Sequence, residues 1–154
     1  MMKKLNIVIA GLGNVGSAVI NSIQNNNHLI QNKSLIKINI LGISARNRNK
    51  KRTFDTSQYK WHDNPIDLLS LRNTNVLIEL IGQEKGISFE LTKLALKKRI
   101  HVVTGNKAML AIHGNELFKI AEENNVLLLY EAAVAGGIPI IKTIKNNLFL
   151  NNIK

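Results

Sequence analysis

The amino-acid sequence predicts an α/β protein, a doubly wound and mostly parallel sheet with helices on its faces. Three observations lead there. The chain opens on an aliphatic run, Leu5-Asn6-Ile7-Val8-Ile9-Ala10, that empties into Gly11-Leu12-Gly13-Asn14-Val15-Gly16. Short apolar runs then alternate with helical patterns, which is how strand–helix–strand crossover units read in sequence. Of the 154 residues 45% are hydrophobic, enough for one sizeable core, so one domain is the default.

The first strand ends in the pattern G-x-G-x-x-G, in which each glycine has its own task. Gly11 permits a tight turn, Gly13 lets backbone N–H groups approach a pyrophosphate, and Gly16 brings the following helix close to the strand. A dinucleotide's phosphates would sit at the positive N-terminus of that helix, which makes Gly11, Leu12, Gly13, Asn14, Val15 and Gly16 the expected cradle. The same glycines would also make an ordinary turn. Context favours the cradle: a strand precedes it, and Val15, Val19 and Ile23 recur on one helical face after it. Asn25-Asn26-Asn27-His28 reads as a polar break, with Leu29 to Leu35 a loop or irregular helix.

Lys37 to Ser44 reads as the second strand. In an NAD-binding unit a carboxylate at its end bonds the ribose 2′-hydroxyl. Here Ile43-Ser44-Ala45-Arg46 supplies none, and cations follow. Arg46, supported by Ser44 and Arg48, would favour a 2′-phosphate and hence NADP; the alternative is a basic surface loop in a basic protein. Asn47 to Asn64 reads as a polar loop carrying Tyr59 and Trp61, and His62 within it has no metal-ligand partner at useful spacing. Pro65 to Leu69 starts a short helix with Asn64 as N-cap. Asn75 to Gly82 is a third strand, whose end is where such a sheet places ligand-contacting turns. Glu79 is unusual in so apolar a run, either a buried partner to a cation or a sheet-edge residue.

Ile87 to Lys98 is amphipathic, with Leu91, Leu94 and Ala95 as one face and its cations near the C-terminus, where the dipole favours them. Ile100 to Thr104 is a fourth strand. Ala108 to Asn124 is helical with a candidate interruption at His113-Gly114. Val126 to Tyr130 is a fifth strand, Glu131 to Pro139 a small-residue turn, and Pro139 to Leu148 a last helix with proline at its first turn.

A net charge of +11 and a pI near 10.1 ask for an acidic partner, a phosphate-rich cofactor or nucleic acid. The densest basic run is Arg46 to Arg52, but with 5% aromatic residues and no nucleic-acid module pattern, no nucleic-acid partner is expected. The absence of cysteine excludes disulfides and thiolate chemistry. The first apolar run ends in glycines instead of a cleavage site, and no stretch reaches the roughly 18 to 20 apolar residues of a membrane span. A cytoplasmic protein with no membrane partner is expected.

Taken together, Gly11 to Gly16, Glu79-Leu80-Ile81-Gly82, His101-Val102-Val103-Thr104-Gly105-Asn106-Lys107-Ala108 and Glu131-Ala132-Ala133-Val134-Ala135-Gly136-Gly137-Ile138-Pro139 resemble homoserine dehydrogenase, most closely its monofunctional form. Their order and spacing agree across essentially the whole chain. The resemblance implies a Rossmann-like cofactor domain over residues 1–135, followed over 136–154 by the start of a substrate and dimerisation domain. It implies NADP- or NAD-dependent interconversion of homoserine and aspartate 4-semialdehyde, on the route to threonine and methionine, by a homo-oligomer. Ile81, Gly82 and Lys107 join the expected cofactor contacts. Lys107, which in the family lies by the nicotinamide and the substrate, is the expected reacting-site residue; a merely solvated lysine at a helix start would oppose the dipole.

The turn after Glu131 resembles the family's sodium site, with Glu131 and the carbonyls of Val134, Gly136 and Ile138 as ligands; hard oxygens suit such an ion. A hinge in which Glu131 caps backbone amides is the alternative, and both readings are compatible. Gln83 stands where the family often has a second glycine, and Gly105 replaces a usual alanine or proline. The chain stops at Asn151-Asn152-Ile153-Lys154, where the family's path enters the domain that handles substrate and proton. Cofactor binding without appreciable catalysis is therefore expected of this polypeptide alone, as an N-terminal piece of the enzyme or the partner of a separately encoded remainder. The alternative is a non-catalytic NADP-binding module or degraded gene product.

Overall fold

The computed structural model describes residues 2–134, 136 and 138–147. Its strands are β1 (Lys3–Ala10), β2 (Ile36–Ser44), β3 (Lys60–His62), β4 (Val76–Glu79), β5 (His101–Thr104) and β6 (Leu128–Leu129). The helices are α1 (Asn14–Ser34), α2 (Ile87–Lys97), α3 (Lys107–Glu123), α4 (Glu131–Val134) and α5 (Ile140–Asn147). The six strands form one sheet in the order β3-β2-β1-β4-β5-β6, and every neighbouring pair is parallel. The chain steps outward from β1 to β3, then returns past β1 to lay down β4, β5 and β6 on the other side. This leaves a crevice at the carboxyl ends of β1 and β4, where a doubly wound sheet binds its ligands.

The second half of β1, Ile7 to Ala10, is wholly apolar because it is buried on both faces. Ile7 and Ile9 meet Leu12, Ile20 of α1 and Ile43 of β2. Val8 and Ala10 face the opposite layer, with Leu77 of β4, Leu91 and Leu96 of α2, and Met109 and Leu117 of α3. Each such aliphatic side chain contributes about 1.5 to 3 kcal/mol on burial. The pairing of β1 with β2 runs Ile7 to Ile40 and then Val8 to Gly42, so Leu41 is an extra residue in β2. This bulge lets Ile40 and Ile43, three apart, pack into the same cluster while Leu41 turns to the other.

Several expectations change. The Asn25–His28 run does not break α1, which continues to Ser34 and stops where Leu35 takes φ +57° with its N–H bonded to the Gln31 carbonyl. Polar residues on the solvent face cost little once the apolar face is anchored. Val15 is not on that face: it is 60% exposed, and the buried positions are Gly16 and Ile20, flanked by Val19 and Ile23. The polar 47–64 segment contains a three-residue strand, β3, paired with the end of β2. Asn64 caps the following 3-10 helix Pro65–Ser70 by accepting from the Ile66 N–H at 3.0 Å. α3 is continuous through His113 and Gly114. Part of the expected Glu131–Pro139 turn is the helical turn α4. Ala135, Gly137 and residues 148–154, with the expected end of the last helix at Leu148, lie outside the described residues.

Candidate dinucleotide-binding site

The turn after β1 exists because two of its positions reject a side chain. Gly11 has φ +98°, and a Cβ there would strike the Leu80 carbonyl; a Cβ on Gly16 would strike the carbonyl oxygen of Gly11. Gly13, by contrast, faces open space, with nothing within 4 Å of a built Cβ. It is the N-cap of α1, no side chain caps that end, and the first turn carries no acidic residue. Backbone N–H groups are thus presented to the crevice, the arrangement that suits an anion.

Gly11, Leu12 and Gly13 form the floor of a cleft of about 650 Å3. One wall is the end of β2 and the loop beyond it, with Ser44, Ala45, Arg46, Lys50 and Arg52. The loop is shaped by Arg52, whose guanidinium donates to the carbonyls of Asn47 at 2.7 Å, Lys50 at 2.8 Å and Arg48 at 3.3 Å. That guanidinium also lies 5.2 Å from the centroid of Trp61 on β3, and the Arg48 guanidinium 5.9 Å from it. Asp63 is the carboxylate on this wall, and it accepts the Trp61 indole N–H at 2.8 Å. No carboxylate stands at the end of β2 itself.

The facing wall carries Leu80, Ile81, Gln83 and Ile87. Behind it lies Glu79, fully buried on a central strand. Neither reading of Glu79 holds: it is not at an edge, and its partners are neutral. It accepts from the Thr104 hydroxyl at 2.6 Å, the Ser88 hydroxyl at 2.7 Å and the Ile81 N–H at 2.8 Å. Asn106 extends the network, donating its side-chain amide to Ser88 at 2.9 Å and to the Gln83 carbonyl, and its backbone N–H to Thr104 Oγ1 at 3.0 Å. Its own Oδ1 accepts from Met109 N–H and caps α3.

The structure brings Gly11, Leu12, Gly13, Arg46 and Ile81 to one cleft, and Asn14 lines its continuation along α1. Gly16 packs beneath the floor, Val15 faces outward, and Gly82 makes the bend at φ +82° between Ile81 and Gln83. Lys107 is the exposed first residue of α3, directly after the Asn106 cap, and is not among the residues that form the walls. The Glu131 carboxylate accepts the Lys142 N–H at 3.2 Å, so it does cap a backbone amide; Gly136 has φ +61°, and Val134 and Ile138 are exposed. Lys50 and Arg52 are wall residues that spacing alone does not single out. The available signal was the basic run's position directly after the second strand.

The family model described as the NAD binding domain of homoserine dehydrogenase matches residues 11–131. The chain belongs to the homoserine dehydrogenase family. Homoserine dehydrogenase of Pseudomonas aeruginosa is 39% identical over 152 residues, covering 99% of this chain and 34% of that protein. The Bacillus subtilis homoserine dehydrogenase is 33% identical over 152 residues, with 99% and 35% covered. This chain therefore spans about a third of the length of these relatives. The crystal structure of a homoserine dehydrogenase from Thiobacillus denitrificans superposes with a TM-score of 0.87 at 32% identity, covering 99% of this chain and 35% of that one. A hyperthermophilic archaeal homoserine dehydrogenase mutant in complex with NADPH superposes with a TM-score of 0.76 at 27% identity, covering 95% of this chain and 50% of that one. Among the described residues no helix is long and apolar enough to cross a membrane.

Proposed function

We propose that this chain is the cofactor-binding part of a homoserine dehydrogenase that uses NADP, and that it interconverts homoserine and aspartate 4-semialdehyde only together with the rest of the enzyme. The observation that carries the reading is the glycine loop and Arg46 on one cleft, with no carboxylate at the end of β2. NADPH, when bound, supplies the hydride. The N-terminus of α1 and the loop Gly11–Gly13 hold the pyrophosphate, and Asn14 extends that contact. Arg46, with Ser44 beside it, meets the 2′-phosphate, to which a guanidinium bonds as a planar fork. Ile81 and Gly82 border the other half of the dinucleotide. Lys107 offers its ammonium to the substrate oxygen as negative charge gathers there.

In the same reading residues 1–135 form the cofactor domain and 136–154 begin the substrate and dimerisation domain of a cytoplasmic homo-oligomer. Glu131 and the carbonyls of Val134, Gly136 and Ile138 supply a hard oxygen set for sodium, whose binding sodium NMR line broadening would report and Glu131→Gln would abolish. Unchanged broadening in that variant would remove the site.

Titration of the purified chain with NADPH and NADH tests the cofactor assignment. Tighter binding of NADPH by about tenfold is expected, and Arg46→Ala should erase the difference. Equal affinities in the wild type would defeat the NADP assignment. With NADPH and aspartate 4-semialdehyde the chain alone should show no appreciable turnover; robust turnover would overturn its dependence on the rest of the enzyme.

A further inference from the structure

We infer that Glu79 is a positioning residue for the nicotinamide half of the cleft, acting through Ser88, Thr104 and Asn106 to hold the Ile81–Gln83 turn and the turn that presents Lys107. The inference rests on the dinucleotide reading. In a sheet that switches direction between β1 and β4, the half of the ligand beyond the pyrophosphate from β2 lies over the ends of β4 and β5. Both of those ends are loops, and neither loop is held by a salt bridge among the described residues.

What holds them is one carboxylate. Glu79 fixes the Ile81 N–H directly at 2.8 Å, and through Ser88 and Asn106 it reaches the Gln83 carbonyl. Through Thr104 it reaches the Asn106 N–H, one residue before Lys107. All four side chains are buried, and along both branches the hydrogens run toward Glu79, from Asn106 through Ser88 and through Thr104, while Asn106 gives its other amide hydrogen to the Gln83 carbonyl. Two of the donors, the N–H groups of Ile81 and Asn106, are backbone and cannot reverse.

A glutamine at this position cannot satisfy both branches. Its carbonyl oxygen would serve Ile81 and Ser88, and its NH2 group would then face Thr104. Thr104 Oγ1 already accepts from Asn106 and would be left with a hydroxyl hydrogen and no acceptor, in a site where that is costly. The strain falls on the link to Lys107. The Arg46 wall shares no member of this network.

The test compares two ligands on the 154-residue chain. NADPH occupies both halves of the cleft, whereas 2′,5′-ADP carries the adenosine, the 2′-phosphate and no nicotinamide. Binding is read by calorimetry, and for NADPH also by the fluorescence of its reduced ring. In Glu79→Gln, NADPH should bind about tenfold more weakly while 2′,5′-ADP stays within about twofold of wild type. Thr104→Val should give the same split, and supplies the answer if Glu79→Gln does not fold; Thr104→Ser, which keeps the hydroxyl, should bind both ligands as wild type does. Equal weakening of both ligands in a variant with a native circular dichroism spectrum would overturn the inference, as would no weakening of either. A wild-type chain that binds neither ligand is a separate result: it removes the dinucleotide reading itself and the inference with it.

Discussion

On the β2–β3 side of the cleft the wall carries cations on the loop beyond β2, exposed Arg46 and Lys50 and half-buried Arg52, whose guanidinium lies over the face of Trp61. On the β4–β5 side the ordering groups are buried, and neutral donors converge on Glu79. The first side is suited to attracting negative charge over a distance and tolerates movement. The second sets geometry and tolerates little, because each buried group that loses its partner costs about 1 to 3 kcal/mol. Under the proposed function the two would divide the work, since a phosphate needs only to be held, whereas a ring that gives up hydride must be aimed.

The largest expected effect comes from the floor both sides share. Gly16→Ala pushes a methyl group into the Gly11 carbonyl and should cost about 2 to 3 kcal/mol of stability, with loss of both NADPH and 2′,5′-ADP binding. Retention of both ligands by this variant would show that the floor yields. Next comes the buried side. Ser88→Ala leaves Glu79 and Asn106 each short of a partner and should lower the thermal midpoint by several degrees, following a loss of about 1 to 3 kcal/mol. On the exposed side, Arg52→Lys gives up the planar fork that ties three carbonyls of the loop. NADPH affinity should fall about fivefold with an almost unchanged melting curve; a large stability loss there would erase the contrast between the two sides.

The smallest effect belongs to the Lys93–Glu116 pair, 2.7 Å apart, which ties α2 to α3 on the surface. The hydrogen bond from Lys93 is the main cause that holds the Glu116 carboxyl below its ordinary value of 4.5, and the same bond raises Lys93 above 10.5. A carboxyl depressed in the folded state stabilises above its unfolded value and loses that contribution as pH falls through the folded one. Urea melts of Glu116→Gln and wild type should therefore differ slightly at pH 7 and converge below pH 4.5, and the difference should shrink in high salt. A gap that widens in acid would contradict the sign.

The sheet, its parallel sense, the glycine turn and the basic end of β2 were legible in the sequence because each rests on residues adjacent in the chain. β3 was not, since three residues cannot show a period and its place is set by pairing with β2. The length of α1 was hidden by the Asn25–His28 run, three of whose four side chains are exposed, in a helix already anchored by Ile20 and Ile23. Glu79 was recognised as anomalous but not explained. Its hydroxyl partners, Ser88 and Thr104, lie 9 and 25 residues further on, in different elements, and no spacing rule connects them. The place of Lys107 beside the network follows from the Asn106 cap, a local signal that becomes informative only when β4 and β5 are neighbours.

The extra residue in β2 gives this fold one unit of slack. A single-residue deletion of Leu41 would restore unbroken pairing, Ile7 with Ile40 and Val8 with Gly42, at the expense of one leucine in the second core layer. A deletion after Gly42 has no such reserve: it would remove buried Ile43 or Ser44, or shorten the link from the strand to Arg46 by one residue. A length change at the bulge is thus absorbed and one after it is felt, so the bulge marks where the strand's residue count begins to set the cleft wall that carries Arg46.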